Sequence, residues 1–192
     1  MTKQDFNEEI EWSIQILKSG GTILYPTDTI WGIGCDATNP KAVQKVYNIK
    51  QRSESKSLIV LVDSFDKIAH YVKKIPDVAY DLVKNINTPV TIIYSGACNL
   101  AYNVIAADGT IAIRVVRDEF CQELIGRFGK PIVSSSANAS GDDTPLFFNS
   151  ISKGIINIVD YTVAINHEKV NSTKPSTIIR LHENGEFLII RP

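Results

Sequence analysis

One methionine, three cysteines and three histidines are spread through 192 residues, and each scarcity removes a class of protein. Cys35, Cys98 and Cys121 are odd in number and widely spaced, with no C-x-x-C pair. That argues against a disulfide frame or a thiolate zinc site and for reduced thiols in a cytoplasmic protein. His70, His167 and His182 show no metal-ligand spacing. No window approaches the ~20 apolar residues of a membrane span, and the acidic, polar start MTKQDFNEEIEW does not read as a secretory signal. There is no G-x-S-x-G elbow of a hydrolase and no usual phosphate-loop signature. A net charge of −1 is too balanced for a protein living mainly by non-specific contact with nucleic-acid phosphates, although a local basic groove is compatible with it.

What is present suits one domain over residues 1–192, within the ~250 residues that a single core commonly holds. Ile10, Ile14 and Leu17 recur at helical spacing before a Gly20-Gly21 stop. Residues 22–25 read as a strand running into Pro26. Asn39-Pro40 starts a helix with a capping side chain and proline at its first position. A strand over 58–62 follows, then a helix capped by Ser64 or Asp66 and carrying Ile68, Ala69 and Val72. Val78, Leu82, Val83 and Ile86 mark another helix, ended by Thr88-Pro89. Strands are expected over 90–94, 111–115 and 132–134, with a helix of Cys121, Leu124, Ile125 and Phe128 stopped by Gly129. Asn184-Gly185 joins a terminal hairpin of 177–181 and 187–190. Helices and strands alternate irregularly, so the expected fold is a single α/β domain with a mixed, twisted sheet and flanking helices, not a regular parallel array.

Three cations, Lys50, Arg52 and Lys56, cluster where a helix ends and a strand begins. They complement a helix dipole there, but also suit a polyphosphate. Arg114 interrupts an apolar strand, where a charge is costly without an anionic partner. That partner could be a ligand or one of the chain's own carboxylates. Thr27, Asp28 and Thr29 at one strand end, and Ser134, Ser136 and Asn138 at another, place hydroxyl and amide groups where substrate could meet them. Ser135 should alternate to the opposite side.

Seven pieces in order carry a resemblance: GGTILYPTDTIWGIGCDA (20–37), KQRSESKSL (50–58), TPVTIIY (88–94), TIAIRV (110–115), KPIVSSSANASG (130–141), PSTII (175–179) and LIIRP (188–192). Each is weak alone; jointly they resemble the YrdC-like family of threonylcarbamoyl-AMP synthases over nearly the whole chain. The resemblance implies a twisted sheet with a concave, positively lined surface. It also implies a reaction of ATP, L-threonine and bicarbonate giving threonylcarbamoyl-AMP and pyrophosphate. A separate tRNA threonylcarbamoyl transferase complex would then modify adenosine at tRNA position 37. Magnesium is expected with ATP, held chiefly by nucleotide and water. Membrane partners are not expected.

By the same resemblance Lys50, Arg52, Lys56, Thr110, Ser136, Asn138, Thr144 and Arg191 fall to ATP, and Thr29, Arg114, Ser134 and Ser176 to threonine. The polar loop 139–147 is a candidate to close over bound nucleotide. Ser53, Ser57, Leu61 and Thr88 depart from common family residues, and the chain looks like the short form without a further C-terminal domain. Two rivals stand beside this. One is a non-catalytic module holding tRNA or double-stranded RNA by shape. The other is a dinucleotide oxidoreductase, because Gly32, Gly34 and Ala37 fit G-x-G-x-x-A, although the expected helix starts too late for that motif.

Overall fold

A computed structural model describes residues 2–51, 53, 58–165 and 175–192. Helix α1 (Lys3–Lys18) is opened by a Thr2–Asp5 capping box and buries Ile10, Ile14 and Leu17. Strands β1 (Ile23–Tyr25) and β2 (Gly32–Gly34) precede α2 (Pro40–Lys50), whose Asn39 side chain accepts from the amides of residues 41 and 42. Then come β3 (Ile59–Val62), α3 (Val78–Asn85), β4 (Val90–Tyr94), β5 (Ile111–Val115) and α4 (Glu119–Phe128). Gly129 ends α4 at φ 75°, a left-handed conformation that suits glycine. The chain continues through β6 (Ile132–Ser136), α5 (Lys153–Ile158), β7 (Tyr161–Thr162), β8 (Thr177–Leu181) and β9 (Phe187–Arg191).

The strands form one mixed sheet in the order β7-β1-β2-β6-β3-β5-β4-β8-β9. Alternating side chains send Val60 and Val62 into one core and Leu61 into another, as Val133 and Ile132 are divided on β6. Helices α1 and α4 cover the Leu61 and Ile132 side, while α2 packs against the other. Among the described residues no helix is long and apolar enough to cross a membrane.

Three expectations needed correction. The segment after Ser64 is a short 3-10 turn, Phe65–His70, without a side-chain cap, and Val72 leaves it to bridge Ala97. The sixth strand extends to Ser136, two residues beyond the expected end. Gly32 to Gly34 is a strand paired antiparallel to β1 and β6, not a strand-to-helix turn, which removes the dinucleotide rival. That strand was hidden because glycine has no strand propensity of its own. Its glycines are used for closeness: a Cβ on Gly34 would stand 2.6 Å from the Tyr25 ring and 2.7 Å from Val133 O. Gly34→Ala should therefore destabilise the protein by about 1–3 kcal/mol, lowering the thermal midpoint by several degrees; an unchanged urea midpoint would contradict this packing.

Candidate active site

Neighbouring strands place a row of residues across one face of the sheet. Ile59 stands opposite both Ser134 and Ala112, and Ala112 stands opposite Ile93. Further along, Ile178 stands opposite Arg191. Opposed residues share a face, and Arg114 shares it with Ala112, two positions away. This is the face that α1 and α4 cover elsewhere. Left open here, and walled by the β1–β2 connection and Thr144, it forms a cavity of about 260 Å³. Thr29, Arg114, Ser134, Ser136, Thr144, Ser176 and Arg191 all line it, so seven dispersed sequence candidates meet in one hollow.

Arg114 is buried, and its Nη2 lies 3.1 Å from Oδ1 of the equally buried Asp28. The pair is close but poorly aligned: neither Asp28 oxygen nor Arg114 Nε completes a hydrogen bond among the described residues. Arg114 thus has a charge partner within the protein and still has donor capacity at the cavity wall. Arg191 is half-buried and donates through Nε and Nη2 to Ser176 O, at 3.1 and 2.7 Å. Burial, and then the repelling charge of Arg114, pull its pKa below the usual arginine value. Two guanidinium groups therefore bear on the same space, and among the described residues no acidic side chain lines it.

Hydroxyls complete the wall. Thr29 is held by Thr27, whose Oγ1 lies 3.0 Å from its own and accepts from its amide. Gly32 makes room for Ser134, since a Cβ there would come within 2.9 Å of Ser134 Oγ. Ser135, expected on the other side, also lines the cavity. Trp31 forms part of the lining and packs at a tilt against Phe148, just beyond the polar loop, with ring centroids 4.9 Å apart.

Other candidates lie elsewhere. Lys50 is almost fully buried outside the lining, and its Nζ reaches Ser136 O and Oγ and Asn138 O and Oδ1. It ties the end of β6 to the segment around Asn138, beside the cavity. Asn138 is likewise occupied, accepting from Lys50 and donating to Asp142 O. Thr110 donates to Asp108 Oδ1 at 2.6 Å at the entrance to β5 and does not line the cavity. Arg52 and Lys56 lie outside the described residues. Leu61 is core, opposite Arg114 in register.

Sequence reasoning missed the roles of Asp28, Trp31 and Gly32. Only Asp28 gave a signal, as a carboxylate beside a candidate ligand residue. Behind Arg114 stands a second carboxylate, Asp118, which caps α4 by accepting from the Cys121 amide. Its Oδ2 is buried without a partner among the described residues. Burial pushes its pKa up, and Asp28 adds to this, against the Cys121 hydrogen bonds and the Arg114 charge. The Cys121 thiol is also driven well up by burial and by Asp118, so it is a poor nucleophile.

The fold and cavity define a class: a mixed-sheet α/β protein with a hollow lined by hydroxyls and two guanidinium groups. The family model Sua5/YciO/YrdC, described as "Telomere recombination", matches residues 15–192, and the chain belongs to that family. The threonylcarbamoyl-AMP synthase of Pseudoalteromonas translucida is 35% identical over 169 residues, covering 86% of this chain and 89% of that protein. Escherichia coli YciO superposes with a TM-score of 0.81 at 26% identity, over 95% of this chain and 87% of that one. P. abyssi Sua5, solved in complex with L-threonine, superposes with a TM-score of 0.80 at 24% identity. This chain spans about half of that Sua5, with 90% of its own residues covered against 50% there.

The buried acid pair yields a pH prediction. A carboxyl whose pKa is raised on folding favours the folded state when protonated. Its contribution is therefore lost as pH rises from the ordinary aspartate range, about 3.9, through the raised value. Asp118→Asn keeps a cap acceptor and removes the ionisation. It should be more stable than wild type at neutral pH, with the difference vanishing near pH 3. Urea unfolding at both pH values checks this, and a pH-independent difference would count against it.

Proposed function

We propose that this chain is a threonylcarbamoyl-AMP synthase, a nucleotidyltransferase that joins L-threonine, bicarbonate and ATP with release of pyrophosphate. The observation that carries this is the meeting of Arg114, Arg191 and the hydroxyls of Thr29, Ser134, Ser136 and Ser176 around one cavity with no acidic lining residue among those described. Family membership and the 35% identical synthase point the same way. The volume is near the lower end of the ~300–1,000 Å³ of small-molecule sites. It favours a small substrate over an RNA surface.

The chemistry asks for no protein nucleophile. Threonine's amine forms a bond to the bicarbonate carbon, and water is lost to leave a carbamate. A carbamate oxygen then attacks the α-phosphorus as the bond to the departing pyrophosphate oxygen breaks. Three anionic reactants must be held together, so positioning and charge neutralisation are the protein's contribution. Arg114 and Ser176 would hold the threonine carboxylate, with Thr29 and Ser134 around its amine and hydroxyl; the L-threonine complex of the similarly folded Sua5 is consistent with this. Arg191, Ser136 and Thr144 would face the nucleotide. Lys50 and Asn138 serve by holding Ser136 in place.

Arg52, Lys56 and Thr110 keep their nucleotide roles on the strength of the sequence match. Magnesium would belong to the nucleotide substrate here, since the described lining offers hydroxyls and guanidinium groups instead of carboxylates. The product, a mixed anhydride, is a carbamoyl donor for a separate tRNA-modifying transferase. With free cysteines at positions 35, 98 and 121, a reducing cytoplasm suits the chain.

Pyrophosphate release should require threonine and bicarbonate together, with threonylcarbamoyl-AMP detected by mass; release without either would sink the assignment. Arg191→Gln should lower kcat/KM for ATP roughly ten- to a hundredfold, the worth of one charge-assisted hydrogen bond. Steady-state kinetics at varied ATP reads this directly.

A further inference from the structure

Ser176, just before β8, and Arg191, the last residue of β9, come together at the cavity wall. Behind Ser176 stands Thr91 of β4, fully buried, with its Oγ1 2.7 Å from Ser176 Oγ. The distance alone leaves open which hydroxyl donates. The surroundings decide it. A hydroxyl has one hydrogen and two acceptor lone pairs, whereas a guanidinium only donates. Arg191 Nη2, 3.5 Å from Ser176 Oγ, therefore takes up acceptor capacity there.

Thr91 Oγ1 has no second side-chain partner among the described residues and no access to water. If it accepted from Ser176, its own hydrogen would be buried with nowhere to go, which is the costly arrangement. If Thr91 donates, the Ser176 hydrogen is released instead. Ser176, itself only 1% exposed, borders the cavity, where a bound ligand can accept it. A β-branched residue on a strand has restricted χ1 freedom, so the Thr91 hydroxyl is held in this direction.

We propose that Thr91 is a positioning residue: it donates to Ser176 and so commits the Ser176 hydroxyl as a donor to an anionic oxygen of the bound ligand. Together with Arg114 this makes a converging donor set for a carboxylate. That the carboxylate is threonine's rests on the function proposed above.

Thr91→Val keeps the shape and removes the hydrogen. It should raise KM for L-threonine roughly three- to tenfold, the worth of about one net hydrogen bond, with kcat changed less than about twofold. Thr91→Ser should restore the wild-type KM. In a Ser176→Ala background Thr91→Val should add little, because the two act as one unit. A wild-type KM in Thr91→Val, or an equal effect in both backgrounds, overturns the proposal. Neutron diffraction of the deuterated, ligand-free protein tests the orientation without turnover. A Ser176 deuteron pointing at Thr91 overturns it as well. One pointing into the cavity supports it even if threonine fails to drive pyrophosphate release, a failure that would sink only the assigned activity.

Discussion

A guanidinium group in the middle of a β-sheet governs much of this molecule. Arg114 lies on β5, flanked by β3 and β4, where burial would penalise an uncompensated charge heavily. Asp28, carried by the β1–β2 connection, supplies the compensation at 3.1 Å. Breaking such a pair from one side typically costs about 3–5 kcal/mol, a large part of the roughly 5–15 kcal/mol that holds a domain together. The connection must therefore fold down over the sheet, and in doing so it brings Thr29 and Trp31 to the cavity. One ion pair thus serves both the fold and the site.

The remaining polar groups are ordered by the same economy of donors and acceptors. Lys50 ties the end of β6, which holds Ser136 at the cavity. Arg191 ties the last strand to Ser176, and Ser176 is tied in turn to Thr91. Apolar residues between them, such as Ile59, Ile93 and Ile178, lower the local dielectric at the cavity floor. In such surroundings a fixed donor acts more strongly on an anion than it would in water, and needs no reorganisation when charge develops.

Much of the scaffold was legible in advance. Helices announced by caps and periodic apolar residues, such as Asn39-Pro40 and the Cys121 to Phe128 face, formed where expected, because their signals are local. The strands at 90–94 and 111–115 did so for the same reason. β2 and β7 were not legible. Glycines do not favour a strand, and a two-residue strand has no periodicity to read. Of the candidate site, the residues at strand ends were found, but their separate duties were not. Lys50 and Arg114 are both cations in motif segments, yet one is spent on main-chain and side-chain oxygens while the other lines the cavity.

By itself the amino-acid order determined most of the inventory: the capped helices and the longer strands, which cations and hydroxyls stand at their ends, and to which family the motifs belong. Tertiary structure alone decided which of those groups share a space. Seven candidates from residue 29 to residue 191 converge because cross-strand register brings distant positions face to face. The partnerships Asp28 with Arg114 and Thr91 with Ser176 span 86 and 85 positions, and only the packed sheet sets such distances. Local propensity acts over a few residues, whereas the direction of a hydrogen bond or the pairing of a buried charge is settled by whatever else is enclosed beside it.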